Sequence, residues 1–339
     1  FFVIYGEEVV PAINDGEPLY KPLICSTLNL LNMKVLITGG AGYVGYALVR
    51  QLMFAPEISE IIIYDNLSRR NYAFFDHQKF SEKPLRFVQG DILDGRKLNQ
   101  TLKGVSVVYH LAAKVTTPFA DMDAHSFDQI NHWGTAQVAY AAEQQEVQHL
   151  IYLSSASVYG DSEEAVNEGS SLNPKSYYGI AKLAGEEQVL RLQNKMKIHV
   201  VRSGNVYGYN PAYRIDAVIN RFIFEAHFEG RVSVQGSGEQ QRSFIHVDKL
   251  ATALRQLLNA SVASGTYDLA EHNFSINDIL LSVKVLYPEL ETININPNMP
   301  RRNISLVLPT QLWQQLKMPE ISLLEEVQAF QAVFSFRTR

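Results

Sequence analysis

A short apolar run, Val35-Leu36-Ile37-Thr38, leads into Gly39 and then Gly40-Ala41-Gly42-Tyr43-Val44-Gly45, and this junction constrains the fold more than any other segment. Four β-branched and aliphatic positions in a row read as a parallel strand buried on both faces. The glycines allow a sharp turn and let the backbone approach a ligand closely. Tyr43 to Met53 then reads as a helix whose first N–H groups favour an anion. A second buried strand, Ile61-Ile62-Ile63-Tyr64, ends at Asp65. That is about 20 residues on, where a carboxylate is placed to bind a ribose hydroxyl pair. Strand, glycines, helix, strand and acid in this order predict a dinucleotide site.

The chain is long enough, at 339 residues, for one large or two modest domains, and 46% hydrophobic with 19% charged residues is ordinary for an α/β protein. A net charge of −5 without a long basic run gives no support for a nucleic-acid surface. The single cysteine, Cys25, rules out an internal disulfide and a multi-cysteine metal site, and fits a reducing cytoplasm. The nine histidines are scattered without ligand spacing, so no metal is expected. No apolar stretch approaches the roughly 18 residues needed to span a bilayer, so no membrane association is expected. Residues 1–32, with the turn signal Asn14-Asp15-Gly16, read as an extension of loops and a hairpin without assigned role. Met33-Lys34, just before the first strand, is where an independent protein of this type is expected to begin.

Buried-strand and helical patterns then alternate. Strands are predicted at Leu85–Val88, Val105–Tyr109, His149–Leu153 and Ile198–Val201, and helices at Asn131–Gln145 and Tyr178–Gln193. Such alternation implies a doubly wound parallel sheet of Rossmann type, with ligands at the carboxyl ends of its strands. The cofactor domain is expected over 33–205. After Asn205 the alternation loosens, and 206–339 reads mainly as a smaller α/β substrate lobe. It carries predicted helices at Asp216–Phe228, Val247–Leu258 and Ile276–Leu286, and short strands at Val232–Val234 and Thr266–Leu269. Ser322 with Glu325 three residues later forms a capping box that announces a last helix.

Tyr178 and Lys182 lie four apart on a predicted helix and so share a face. A free phenol, with a pKa of about 10, is a poor base at neutral pH. A cation ~4 Å away, at an effective dielectric of ~20, stabilises the phenolate by about 4 kcal/mol, or roughly three pKa units. Ser155 follows the strand Leu150–Leu153, and its hydroxyl can hold a reacting oxygen against Tyr178. Such a tyrosine can take a proton from a sugar hydroxyl as hydride leaves the same carbon.

These motifs resemble the extended short-chain dehydrogenase/reductase family, in particular its UDP-galactose 4-epimerase-like sugar-nucleotide branch. The resemblance runs from Met33 to the C-terminus. It rests on Thr38–Gly45, Asp65-Asn66-Leu67-Ser68, Gly90-Asp91-Ile92, His110-Leu111-Ala112-Ala113 and Asn131-His132-Trp133-Gly134-Thr135. It is carried further by Ser154–Gly160, Tyr178-Gly179-Ile180-Ala181-Lys182 and Asn205-Val206-Tyr207-Gly208. The resemblance implies that Ser155, Tyr178 and Lys182 form the catalytic group. It implies NAD as cofactor, with Gly39, Gly42, Tyr43 and Val44 at the pyrophosphate, Asp65 at the adenosine ribose, and Asn66, Tyr178 and Lys182 among the further cofactor contacts. Asp91 and Ile92 would flank the adenine, and Leu111, Ala112, Ala113 and Asn131 would line the cofactor's path. A 2′-phosphate would be repelled by Asp65, although Arg69 and Arg70 follow closely. On the substrate side the resemblance points to Asn205, to Arg242 within Gly236–Phe244 as a diphosphate ligand, and to Arg301 or Arg302 as a second.

A 4,6-dehydratase of this family carries an Asp-Glu pair directly after the serine position, whereas Ala156 and Ser157 stand there in this chain. The reaction expected is therefore epimerisation of a nucleotide-diphosphate sugar, a UDP-sugar foremost, through a 4-keto intermediate. A sugar-nucleotide ketoreductase with the same three residues, a 4,6-dehydratase of the same family, or a dinucleotide sensor without turnover are the alternatives. The resemblance also suggests a homodimer built on the helices containing Asn131 and Tyr178. The segment Asn210–Asn220 departs from the galactose epimerases, and the C-terminal lobe lacks the usual arginine-proline-glycine signature.

Overall fold

Neighbouring residues of a strand point to opposite faces, and here both faces are apolar, so helices must cover the sheet on both sides. The computed structural model describes residues 32–75, 83–115, 123–296 and 303–334. The expectations for 1–31, and for Arg301 and Arg302, lie outside the described residues. Strands β1 (Met33–Thr38), β2 (Ile58–Asp65), β3 (Leu85–Gln89), β4 (Val107–His110), β5 (His149–Ser155) and β6 (Lys197–Ser203) follow in turn. After them come β7 (Asn205–Tyr207), β8 (Arg231–Gln235), β9 (Gln241–His246), β10 (Gly265–Leu269), β11 (His272–Ser275) and β12 (Glu291–Ile295). A seven-stranded sheet runs in the order β10-β6-β5-β4-β1-β2-β3, and every pairing in it is parallel. The strand order reverses between β1 and β4, and the crevice above that point is where ligands of such sheets sit.

The helices are α1 (Tyr43–Leu52), α2 (Gly95–Thr101), α3 (Ala124–Phe127), α4 (Gly134–Gln144) and α5 (Tyr177–Leu190). The second half adds α6 (Val218–Phe228), α7 (Val247–Gln256), α8 (Ile276–Leu286), α9 (Gln311–Gln315) and α10 (Leu323–Gln331). Val35, Ile37, Ile61, Ile63 and Tyr109 pack with Leu48 and Leu52 of α1, Leu250 and Leu254 of α7, and Leu312 of α9. On the other face, Leu36, Ile62, Val108, Leu150 and Val200 pack with Leu98 of α2, Val138 and Ala142 of α4 and Val189 of α5. The sheets do not divide at residue 205: α7, β10 and α9 return from the later half to complete the large sheet and cover one face. The remaining lobe has its own core around Phe222, Ile223, Phe244, Ile279, Val283, Val327 and Phe330.

Local chemistry sets the helix starts. Ser275 with Asp278 and Ser322 with Glu325 form capping boxes on α8 and α10. Ser176 caps α5 through the Gly179 N–H at 3.1 Å, which fixes the register that presents Tyr178. Asn131–Gln145 is not one regular helix. A π-helical turn, Asp128–Trp133, precedes α4 and carries Asn131 into full burial. Asp216, expected at the start of α6, instead pairs with Arg214 in the loop before it. Among the described residues no helix is long and apolar enough to cross a membrane.

Candidate active site

At the carboxyl edge of the sheet the β1–α1 turn forms a cradle. Gly39 has φ +69°, and a Cβ there would stand 2.7 Å from the Ala112 backbone at the end of β4. A Cβ on Gly45 would stand 2.4 Å from the Gly39 carbonyl, so α1 can pack this close to the turn only without one. Gly42, the N-cap of α1, would meet nothing but the Gly39 carbonyl at 3.1 Å. The space over the helix N-terminus is therefore open, with Tyr43 and Val44 as its first residues, and it suits a pyrophosphate.

Asp65, at the end of β2, accepts from Ala41 N at 3.1 Å and from Leu67 N at 2.8 Å. Burial raises its pKa against these two hydrogen bonds. Asn66 donates to Asp91 at 2.9 Å, joining the ends of β2 and β3 where the resemblance places ribose and adenine. Arg69 and Arg70 are exposed. Ile92 is 6% exposed and packs into the core beneath this edge. Leu111 N donates to the Thr38 carbonyl and Ala112 N to the Thr38 hydroxyl, so the β4 exit, continuing through Ala113, runs along the glycine turn. The side chain of Asn131 spends both its donor and its acceptor on the Lys114 backbone, each at 2.8 Å. It braces this exit. The open cradle, the positive φ and the acid beside it fit an NAD-type dinucleotide.

The reacting end lies between β5 and α5. Ser155 closes β5 and caps the short turn Ala156–Val158, accepting from Ser157 N at 3.2 Å. Its hydroxyl lies close enough to the Tyr178 phenol to influence its ionisation. Burial raises the Tyr178 pKa, while the Arg214 charge and the Ser155 hydroxyl draw it down. Phe127 of α3 meets the Tyr178 ring edge to face at 6.1 Å. Lys182 is 2% exposed and turns its ammonium into β5, donating to the Leu153 carbonyl at 2.7 Å and the Tyr152 hydroxyl at 3.3 Å. Desolvation pulls its pKa down to about 7, with Glu186 opposing. Ser155 at the end of β5 and Tyr178 at the start of α5 thus face one another's neighbourhood, and Lys182 is anchored to β5 beside them.

Beneath them is a buried polar floor. Arg202 of β6 grips Glu186 of α5 at 2.6 and 3.0 Å, and Glu186 also accepts from Ser154. Arg202 donates to the Tyr159 hydroxyl at 3.0 Å, which lies 2.9 Å from both carboxylate oxygens of Asp268 on β10. Burial and then Glu168 push Asp268 up to about 7. Sequence reasoning missed this network, although Glu186, four residues after Lys182, shares its helix face.

On the substrate side, Asn205 of β7 donates to the Ser243 carbonyl at 3.1 Å, and Arg242 stands next to Ser243 on β9. The lobe is tied to the cradle itself. Tyr43 donates to the Gly208 carbonyl, Asn210 donates to the Tyr43 carbonyl at 2.9 Å, and Asn220 reaches the Tyr43 hydroxyl at 3.3 Å. Arg214 and Asp216 lie in this same loop and were not singled out from the sequence as site residues. Elsewhere, Glu271, His272 and Glu326 converge, but the Lys249 ammonium already binds Glu271 and lies 2.8 Å from Glu326.

Comparison with known proteins gives this geometry a context. The profile of the NAD dependent epimerase/dehydratase family matches residues 35–270. Human dTDP-D-glucose 4,6-dehydratase is 29% identical over 267 residues, covering 76% of this chain and 75% of that protein. The uncharacterized UDP-glucose epimerase YtcB of Bacillus subtilis is 28% identical over 233 residues, covering 67% and 72%. Among solved structures, MoeE5 in complex with UDP-glucose and NAD superposes with a TM-score of 0.76 at 25% identity, covering 88% of this chain and 97% of that one.

Proposed function

The chain belongs to the NAD-dependent epimerase/dehydratase family, and from that premise we propose that it inverts C4 of a nucleotide-diphosphate sugar through a 4-keto intermediate. The observation that carries the choice of reaction is the turn after Ser155. It holds Ala156 and Ser157, and neither offers a carboxylic acid to protonate a departing hydroxyl. Without that acid, elimination of water lacks its proton donor and the oxidation is left to reverse.

Bound NAD supplies the acceptor and later the donor of a hydride. The protein's part is the proton and the orientation. Ser155 holds the C4 hydroxyl oxygen, Tyr178 takes its proton as the C4–H bond breaks, and the phenol returns the proton when the carbonyl is reduced. Between the two steps the sugar turns to present its other face while its diphosphate stays fixed. Arg242 supplies the diphosphate contact, with Asn205 beside it and Arg301 or Arg302 as further support. Asp65 favours NAD over NADP by charge. A UDP-sugar is the substrate class to expect, given the UDP-glucose bound to MoeE5 and the epimerase name of the Bacillus relative.

A second copy of the chain is the partner expected on the face of α4 and α5. Trp133 is 56% exposed, Tyr140 52%, Tyr177 47% and Ile180 50%, an apolar surface that a helix-to-helix dimer would cover. Sedimentation of Trp133→Glu against the wild type tests it. The reaction is tested with UDP-, dTDP- and GDP-sugars incubated with NAD and no reductant, followed by chromatography and mass. An isomer of equal mass supports epimerisation, whereas a product lighter by one water, or turnover that requires added NADH or NADPH, contradicts it.

A further inference from the structure

Three polar side chains interrupt the apolar face that the large sheet turns toward α4 and α5. They are Thr38, His110 and Tyr152, register partners across β1, β4 and β5, and all three are fully buried. Register partners in a parallel sheet point to the same face, so the three stand in one row, just before the glycine turn. Burying such groups is costly unless each finds a partner, and here the partners fix the protons. Burial keeps the His110 imidazole neutral, drawing its pKa down to about 3. Thr135 of α4 donates its one hydroxyl proton to the Asn131 carbonyl, so toward His110 Nε2, 2.9 Å away, it can only accept. His110 therefore carries its proton on Nε2, and Nδ1 accepts from the Thr38 hydroxyl at 2.7 Å. The Tyr152 ring stacks on His110 with 5.2 Å between centres and 21° between planes. Helix α5 closes on this row at Gly185, where a Cβ would stand 2.6 Å from the Tyr152 hydroxyl and 2.7 Å from the Asn131 carbonyl.

Lys182 is the charged group that the row meets. Its Nζ donates to the Tyr152 hydroxyl at 3.3 Å and sits 4.5 Å from the centre of the Tyr152 ring, while the Leu153 carbonyl accepts a second N–H at 2.7 Å. We infer that Tyr152 is the positioning residue of Lys182, holding its ammonium by hydroxyl and ring face, and that Thr38, His110 and Thr135 lock Tyr152 in place. The inference rests on Lys182 serving Tyr178 in the proposed reaction, but the contacts themselves exist without turnover. A hydroxyl acceptor and a ring face both favour the charged form of an amine that burial would otherwise neutralise. An apolar row would fill the same space without any order of protons, whereas this one connects the end of β1 to an ammonium one helical turn from Tyr178. The titratable groups on the elements packed around that ammonium, among the described residues, are Tyr152 from β5, His110 from β4, and Tyr178 and Glu186 on its own helix. Glu186 is held by Arg202 of β6, and Asp128 and His132 of the π-helical turn pair with each other.

The test is a titration of lysines labelled with 13C at Cε, in which the Lys182 signal is identified by its loss in Lys182→Met. Tyr152→Phe keeps the ring and its stacking and removes only the hydroxyl. It is expected to lower the Lys182 pKa by about one unit and kcat by about tenfold, with KM for the nucleotide sugar within about twofold. Thr135→Val, which takes away the acceptor of the His110 proton, should act in the same direction and less, and Thr135→Ser, which restores the hydroxyl, should titrate near the wild type. A merely structural role would lower the melting temperature without moving the titration. Should Tyr152→Phe fail to fold, the two Thr135 variants carry the test. A Lys182 signal that titrates alike in all the proteins, or in none of them between pH 5 and 9, overturns the inference, and so does an active enzyme whose kcat ignores a moved titration. If the titration moves as stated while the wild type turns over no sugar, the positioning role stands and the proposed reaction falls.

Discussion

The two halves of the cleft are built from different parts of the polypeptide. On the cofactor side the cradle is built mainly of backbone, with the turn at Gly39, the open N-terminus of α1 and the β4 exit hydrogen-bonded to Thr38, and the Asp65 carboxylate stands beside it. On the substrate side the proposed groups are side chains of the lobe, Arg242 on β9 and Asn205 on β7, while Asn210 and Asn220 tie the lobe to Tyr43 of α1. Backbone recognition tolerates changes of side chain but not an added Cβ. Side-chain recognition behaves the opposite way, and the variants below are chosen to break that contrast.

The largest effect should come where the halves meet. Tyr178→Phe removes the proton acceptor and is expected to lower kcat by about 10³-fold, while NAD affinity measured by calorimetry stays near the wild type. A comparable loss of NAD binding would move Tyr178 from chemistry to the cofactor. Next, Gly39→Ala places a Cβ against Ala112 at a positive φ and should weaken NAD binding by roughly 10- to 100-fold, about 1.4–2.8 kcal/mol. Unchanged NAD affinity in a folded protein would break the claim that this half reads the ligand through its backbone. Arg242→Met should raise KM for the nucleotide sugar by roughly tenfold, with kcat little changed, since it removes a charge-assisted contact of about 1.5 kcal/mol. A fall in kcat alone would place the residue at the reacting carbon.

The smallest expected effect concerns stability. The Lys182 ammonium is lowered to about 7 in the folded chain from the ordinary lysine value. Between those two values the unfolded chain binds the proton and the folded one does not. Stability is therefore lost as pH falls toward about 7 and is level below it. Lys182→Met should flatten this slope in thermal melts between pH 7 and 10. An unaltered slope would mean that the lysine is less desolvated than its place beneath Tyr178 requires.

The same contrast explains what the sequence disclosed. Val35–Gly45, Asp65 and the strand ends were legible because an open cradle needs glycines, and buried parallel strands need unbroken apolar runs. The strands β1 to β6 appear where these runs lie, and Ser322 with Glu325 caps α10 as the spacing predicts. The return of α7, β10 and α9 to the large sheet was not legible. Thr266–Leu269 reads as a strand, but nothing local says which sheet it joins. Ser155 and Tyr178 were found as residue types, and they stand at the adjoining ends of β5 and α5. The direction of the Lys182 side chain was not available from a four-residue spacing, because its destination is a carbonyl on β5. The tie between the lobe and α1 was invisible for the same reason: Asn220 reaches the Tyr43 hydroxyl across 177 positions of sequence.

A C4-deuterated UDP-sugar, incubated with enzyme and NAD in ordinary water, interrogates the central claim most directly. The account predicts an epimer that keeps its deuterium at C4, since the same hydride is removed and returned within one closed site. A product that has lost the label, or one lighter by a molecule of water, would contradict it.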